Sequence, residues 1–187
     1  QGGKPTVVAD NHLDRQFDVD QPNQVWVTDI TYIRTDKGWL YLAVVIDVSS
    51  RQVVGWSMNQ RMAVELELDA LLMAVWRRKP IEQVLIHSDQ GSPFTSVEWQ
   101  SCLKVHHFKS SMSRRRNGHD NAVAERFFQR LKRARIRRKI YATRKDARED
   151  RFNYIELFYN ATRKHGTNGL LSPQQYEDRY QLNNGVV

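Results

Sequence analysis

Three carboxylates stand out among the 21 acids of the chain. Asp29 interrupts the β-branched run WVTDITYI (26–33). Asp89 closes the apolar run in VLIHSDQGSPFTS (84–96). Glu125 sits in NGHDNAVAERFFQRLK (117–132), with 35 residues between it and Asp89. A carboxylate in the middle of an apolar strand is costly unless it is paired or bound to a cation. Hard divalent ions such as Mg²⁺ take oxygen ligands and keep places for water and phosphate. Two of them about 3.5–4 Å apart activate an attacking oxygen and stabilise a leaving one. Convergence of the three acids would therefore suit the cutting or joining of phosphodiesters, with no protein nucleophile. Each acid also has a plainer use: Asp29 paired with an arginine at a sheet edge, Asp89 in a turn or cap, Glu125 on a solvated helix face. Their joint occurrence in one order of elements favours the metal site.

The elements that must position them follow from periodicity. Residues 1–24, punctuated by Gly, Pro and Asn, read as an arm or linker. Runs at 25–33, 39–48 and 52–58, rich in β-branched and aromatic residues, are separated by short polar turns and predict a three-strand antiparallel meander. Leu68, Leu71, Leu72 and Val75 predict a helix over 63–78. Glu65, Glu67 and Asp69 lie near its start, where carboxylates favour the dipole, and Pro80 closes it. A fourth strand follows at 84–88, then a short helix at 96–103 capped by Thr95 or Ser96, then a fifth strand at 105–112. Residues 113–121 predict a mobile loop. Helices are expected at 122–139 and 144–159, with another starting at Ser172 and Pro173. The order predicts an α/β fold, a mixed five-stranded sheet (the meander plus two further strands) flanked by helices on both faces. The expected organisation is an arm at 1–24, a core at 25–165 and a tail with a short helix at 166–187.

In such sheets ligands gather at strand carboxyl ends, where Asp89 falls. On the helix at 122–139, positions 125, 129 and 132 share one side, which puts Gln129 and Lys132 beside Glu125. His87, two residues before Asp89, is a candidate supporting group or ligand, with a packed strand histidine as the alternative. Asp47 reads as a structural acid pairing with Arg51 across its turn.

With 29 Lys and Arg, a net charge of +8 and a pI near 9.8, the chain suits a polyanionic partner. Cys102, the only cysteine, excludes an internal disulfide and a cysteine-based zinc site, fits a reduced intracellular compartment, and reads as a small core residue. No apolar stretch reaches membrane-span length, and no signal peptide is visible. A first residue of Gln1 suggests a segment of a longer protein. Positive charge concentrates at Arg114, Arg115 and Arg116, and then from Arg126 through Arg130, Lys132, Arg133 and Arg135 to Lys139. Lys132 and Arg115 are expected at phosphates near the scissile bond, with Arg114, Arg126 and Arg133 tracking the duplex. Asn117 and Asn121 would position a base or backbone, or serve as turn and cap.

The motifs WVTDITYI, HSDQGSPFTS, DNAVAERFFQRLK and HGTNGLLSPQQYE resemble the integrase-like catalytic core of insertion-sequence transposases of the IS-three group, more distantly that of retroviral integrases. The resemblance runs from about Asp18 to Tyr176. It implies a ribonuclease H-like fold and a DDE strand-transfer enzyme with Asp29, Asp89 and Glu125 as catalytic and metal-binding acids. It further implies Mg²⁺ or Mn²⁺, two ions per site on DNA. Water would first free a 3′-hydroxyl at a transposon end, and that hydroxyl would attack a second phosphodiester. Arg116, Gly118 and Arg126 depart from the usual residues. A dimer or higher oligomer on DNA and a bacterial cytoplasmic, nucleoid-associated setting are implied. The helix-turn-helix that reads terminal repeats is not visible, so phosphate contacts should dominate DNA binding. The rival readings are a stand-alone nuclease of the same fold and a catalytically inert DNA-binding or multimerisation module.

Overall fold

Gly38 turns the first hairpin with φ of +99°, a conformation open to a residue without a Cβ. The Thr35 hydroxyl donates to the Gly38 carbonyl at 2.7 Å and locks that turn. In the computed structural model, which describes residues 9–11, 19–113, 121–136 and 139–185, β1 (Val25–Thr35) and β2 (Gly38–Asp47) flank this turn. β2 pairs antiparallel with both β1 and β3 (Val53–Asn59). Then come α1 (Val64–Arg78), β4 (Leu85–Ser88), α2 (Val97–Val105) and β5 (Lys109–Met112). α3 (Ala122–Leu131), α4 (Arg144–Phe152) and α5 (Pro173–Asn183) complete the order. The sheet runs β3-β2-β1-β4-β5, with β4 parallel to both β1 and β5.

Side-chain alternation along the strands divides the core in two. Val27, Ile33, Leu42 and Val44 meet Phe127 and Leu131 of α3 and the aromatic segment after α4. Trp26, Ala43 and Val45 meet Leu66, Ala70 and Leu71 of α1 and Trp99 of α2. Helices therefore cover both faces, as expected. Ser96 caps α2 by accepting from the Trp99 N–H at 3.1 Å.

Three expectations are corrected. β5 begins at Lys109 rather than 105, because α2 continues to Val105 and His107 adopts φ of +56° before the chain turns. The helix expected at 122–139 is α only to Leu131 and then widens to a π turn at Lys132–Ile136. The one expected at 144–159 is α to Phe152 and π over Asn153–Asn160. There Tyr154, Ile155, Tyr159 and Asn160 are buried, a five-residue repeat that an i→i+5 turn presents to one side. Asn160 then pairs with both the N–H and the carbonyl of Val53, each at 2.9 Å.

The tail is docked on the core. α5 starts in a capping box between Ser172 and Gln175, and Glu177 takes a two-pronged contact from Arg78 at 2.5 and 2.6 Å. At the other end, Met112 N donates to the Asp10 carbonyl at 3.2 Å, so part of the expected arm lies beside β5. The loop expected at 113–121 falls at 114–120 outside the described residues.

Candidate active site

β1 and β4 run parallel with Val27 opposite His87. That is the last pair of the register, and Asp29 and Asp89 each follow it by two residues. β4 has ended at Ser88, so the two acids lie where the strands part. Each carboxylate has one oxygen engaged by the main chain just after it. Asp29 Oδ1 accepts from Ile30 N at 2.8 Å, and Asp89 Oδ1 accepts from Gly91 N at 2.7 Å. A Cβ on Gly91 would lie 2.6 Å from that Asp89 oxygen, so glycine is what permits this fold-back.

α3 brings the third acid. Val27 and Thr31 of β1, which share the parity of Asp29, are both buried, and Val27 lies in the core cluster that includes α3. Asn121, at the start of α3, donates its amide to the Thr28 carbonyl at 3.4 Å and ties the helix to β1 beside Asp29. Burial pushes the Asp29 carboxyl up to about 7, and the charges of Asp89 and Glu125 push the same way; the Ile30 N–H and the charge of Lys132 pull it back. The charges of Asp89 and Glu125 thus reach Asp29, as does that of Lys132 in the opposite sense. The Lys132 ammonium sits 5.7 Å from the centre of the exposed Tyr32 ring. Among the described residues no group of three or more His, Cys, Asp and Glu side chains is placed so that it could hold a metal ion.

The other expected residues divide. Gln129, Arg126 and Arg133 are exposed around α3 and its π extension. Asn121 is buried, and its tie to Thr28 is a structural duty rather than an exposed DNA contact. Arg114, Arg115 and Asn117, with Arg116 and Gly118, lie outside the described residues. His87 is buried in the sheet, its Nδ1 2.9 Å from the Ser111 hydroxyl on β5. Asp47 is structural, but the cation beside it is Arg78 at 3.9 Å and Arg51 meets it through the main chain; its side chain accepts from the N–H groups of Asn23, Ser49 and Ser50 and from the Trp26 indole. Cys102 packs against the α1–α2 core.

Sequence reasoning missed Glu67. It is fully buried in the first turn of α1, and among the described residues neither oxygen has a hydrogen-bond partner beyond its own main chain. Burial pushes its carboxyl up to about 7, and the charges of Glu65 and Asp89 add to this. Its spacing to Ala70, Leu71 and Ala74 was the available signal, since those positions share one helix face.

A mixed five-stranded sheet in this order with helices on both faces is the fold of an integrase core. The integrase core domain family matches residues 19–118, a second integrase core domain pattern matches 125–180, and the chain belongs to that family. The HTLV-2 integrase catalytic core domain in complex with magnesium (dimeric form) superposes with a TM-score of 0.57 at 19% identity. The match covers 83% of this chain and 96% of that one, and the fold is ribonuclease H-like. Among bacterial relatives, the transposase InsF for insertion sequence IS3A of Escherichia coli (strain K12) is 48% identical over 172 residues, 92% of this chain and 60% of its own length. The transposase for insertion sequence element IS904 of Lactococcus lactis subsp. lactis (strain IL1403) is 44% identical over 167 residues, 89% of this chain and 66% of its own. The chain thus spans about 60% of the length of the InsF relatives.

Proposed function

We propose that this chain is the catalytic core of an insertion-sequence transposase that cleaves DNA at transposon ends and transfers the freed strand to a target. One observation carries the reading: the carboxyl of the half-buried Asp29 is raised first by the burial it has and then by the neighbouring charges of Asp89 and Glu125. Clustered anions of this kind ask for a cation. With one oxygen of Asp29 and one of Asp89 already engaged by the main chain, few protein ligands remain per ion, which suits ions that keep water and phosphate in their shell. Asp29, Asp89 and Glu125 would hold two Mg²⁺ or Mn²⁺ ions. When bound, such a pair favours the build-up of negative charge on the attacking and leaving oxygens of a phosphodiester.

The chain's own groups supply position and charge. The Ile30 and Gly91 N–H groups fix the orientation of their carboxylates. Lys132 sits where a phosphate beside the acids would meet it, and exposed Arg126 and Arg133 extend that charge along DNA. Because two ends must be joined, the working state on DNA is at least a dimer. The setting is the bacterial cytoplasm at the nucleoid; among the described residues no helix is long and apolar enough to cross a membrane.

The test is incubation of the protein with pre-cut transposon ends, target duplex and Mg²⁺. Strand-transfer product is expected, and Asp29→Asn, Asp89→Asn and Glu125→Gln should each reduce it by about 10³-fold or more, the scale of losing an electrostatic catalytic group. Nicking without transfer would favour a stand-alone nuclease. Undiminished Mg²⁺-dependent cleavage in all three variants would remove the metal site.

A further inference from the structure

A second charged site lies on the flank of α3, round the helix from Glu125. Arg126 and Arg130 are four residues apart and share a side. With Arg51, from the β2–β3 turn, and His165, after the π segment, they line a cavity of about 40 Å³. At about 10–15 Å³ for each enclosed water, that is room for roughly three waters, or for one small tetrahedral anion.

The chemistry of the lining is one-sided. The charges acting on His165 are those of Arg130, Arg163 and Arg51, and with burial they push the imidazole down to about 4. The histidine is therefore neutral at physiological pH. Arg130 Nη1 lies 3.2 Å from His165 Nδ1, and a guanidinium only donates. Nδ1 must then be the acceptor nitrogen, which places the proton on Nε2. That N–H is enclosed and, among the described residues, has no acceptor, so the ring meets the cavity by orienting Arg130. The ring cannot turn away easily, because Tyr159 packs edge-on against it at 5.1 Å and the backbone on both sides of the residue is hydrogen-bonded to Leu170 and Leu171. Like charges four apart on a helix repel, and one anionic oxygen group between Arg126 and Arg130 relieves this.

We propose that this cavity is a receptor for a single phosphodiester of the DNA backbone, held by the guanidinium groups of Arg126 and Arg130 beside Arg51, with His165 orienting Arg130. The strand-transfer reading supplies the source of that phosphate. Because α3 separates the cavity from Glu125, the two lie about one helix diameter apart, roughly 10–12 Å. At about 3.4 Å per nucleotide along one strand, the bound phosphate is a few nucleotides from the scissile one. The site thus acts as a ruler that sets which bond reaches the acids.

The experiment compares wild type, Arg130→Gln, His165→Gln and His165→Phe with the exposed-arginine control Arg148→Gln. Duplex binding is measured by anisotropy from 50 to 200 mM salt, without metal. Arg130→Gln should weaken binding several-fold and lower the log–log salt slope by about one, the signature of a single lost phosphate contact. His165→Phe should also weaken binding, and His165→Gln, which retains an acceptor for Arg130, should restore part of it. A scan of single methylphosphonates should find one position at which wild type and Arg130→Gln bind equally. The proposal is overturned if folded Arg130→Gln keeps the wild-type slope, or if sulfate alone raises the melting temperature of wild type while duplex binding is equal in all variants, which would mark a free-anion site. In either case a wild type that still binds and joins DNA leaves the transposase reading standing. A wild type that binds no DNA would remove both.

Discussion

Under the proposed function Asp89 must be held still without being used up, and Gly91 is the residue that holds it. Its N–H takes one oxygen of Asp89, and the absence of a Cβ leaves space for that oxygen 2.6 Å away. The backbone there is extended, with φ of −62°, which alanine also adopts. Gly91→Ala is thus a clean probe. It should fold with wild-type stability, because the atom in its way is a mobile carboxylate tip. Strand transfer should fall by about 10²-fold, the usual cost of a misplacement near 1 Å. Transfer at the wild-type rate in a folded Gly91→Ala protein would show that the fold-back does not matter. Asp89 itself was legible in the sequence as an acid where an apolar run meets a turn. Its glycine partner was read only as part of that turn, because the hydrogen bond depends on a side-chain rotamer that periodicity does not encode.

Elements hold the site through close approach, and the tightest contact is that of α1 on the sheet. A Cβ on Gly55 in β3 would lie 2.1 Å from the Ala70 carbonyl and 2.8 Å from Ala74 N. Both obstacles are backbone, so the helix itself would have to move. Gly55→Ala should cost about 1–3 kcal/mol, seen as a lower denaturant midpoint at unchanged slope. A loss below 0.5 kcal/mol would mean that α1 seats more loosely than the structure shows. The strands and α1 were legible because alternation and helical spacing are local patterns. The π turns were not, since a 3.6-residue period was the only helical rule applied and the five-residue burial repeat after Phe152 breaks it. Residues 105–108 misled because Val105 and Phe108 are strand formers, whereas Phe108 packs edge-on against Trp26 at 5.6 Å. The pairing of β1 with β4, which Asp29 and Asp89 each follow by two residues, is a contact between distant segments. The two acids were singled out by their flanks, and only the register brings their segments together.

Across the whole molecule, burial of acid groups sets stability against function. Asp29, Asp47 and Glu67 are all pushed above the usual carboxylate range, first by burial. Asp47 is compensated by four N–H donors, and Asp29 belongs to the site, whereas Glu67 has no such return. Its folded carboxyl titrates at about 7 against an ordinary 4.5. Between those values the folded protein binds more protons than the unfolded chain. Stability from this group is therefore fully present below about pH 4.5 and is lost as pH rises through 7. His165 works in the opposite sense, losing stability as pH falls from about 6.5 towards 4, so the pH profile of wild type alone does not isolate Glu67. The difference between wild type and Glu67→Gln does, because every other group cancels. The variant should match wild type near pH 5 and exceed it at pH 8 by about 1–3 kcal/mol, the scale of an unsatisfied buried group, or about 2–4 °C of melting temperature per kcal/mol at this size. Parallel melting curves from pH 5 to 8 would mean that Glu67 is ionised and satisfied in solution. A pH-dependent gain would identify it as a buried charge whose removal steadies α1 next to Asp89 while leaving the three acids in place.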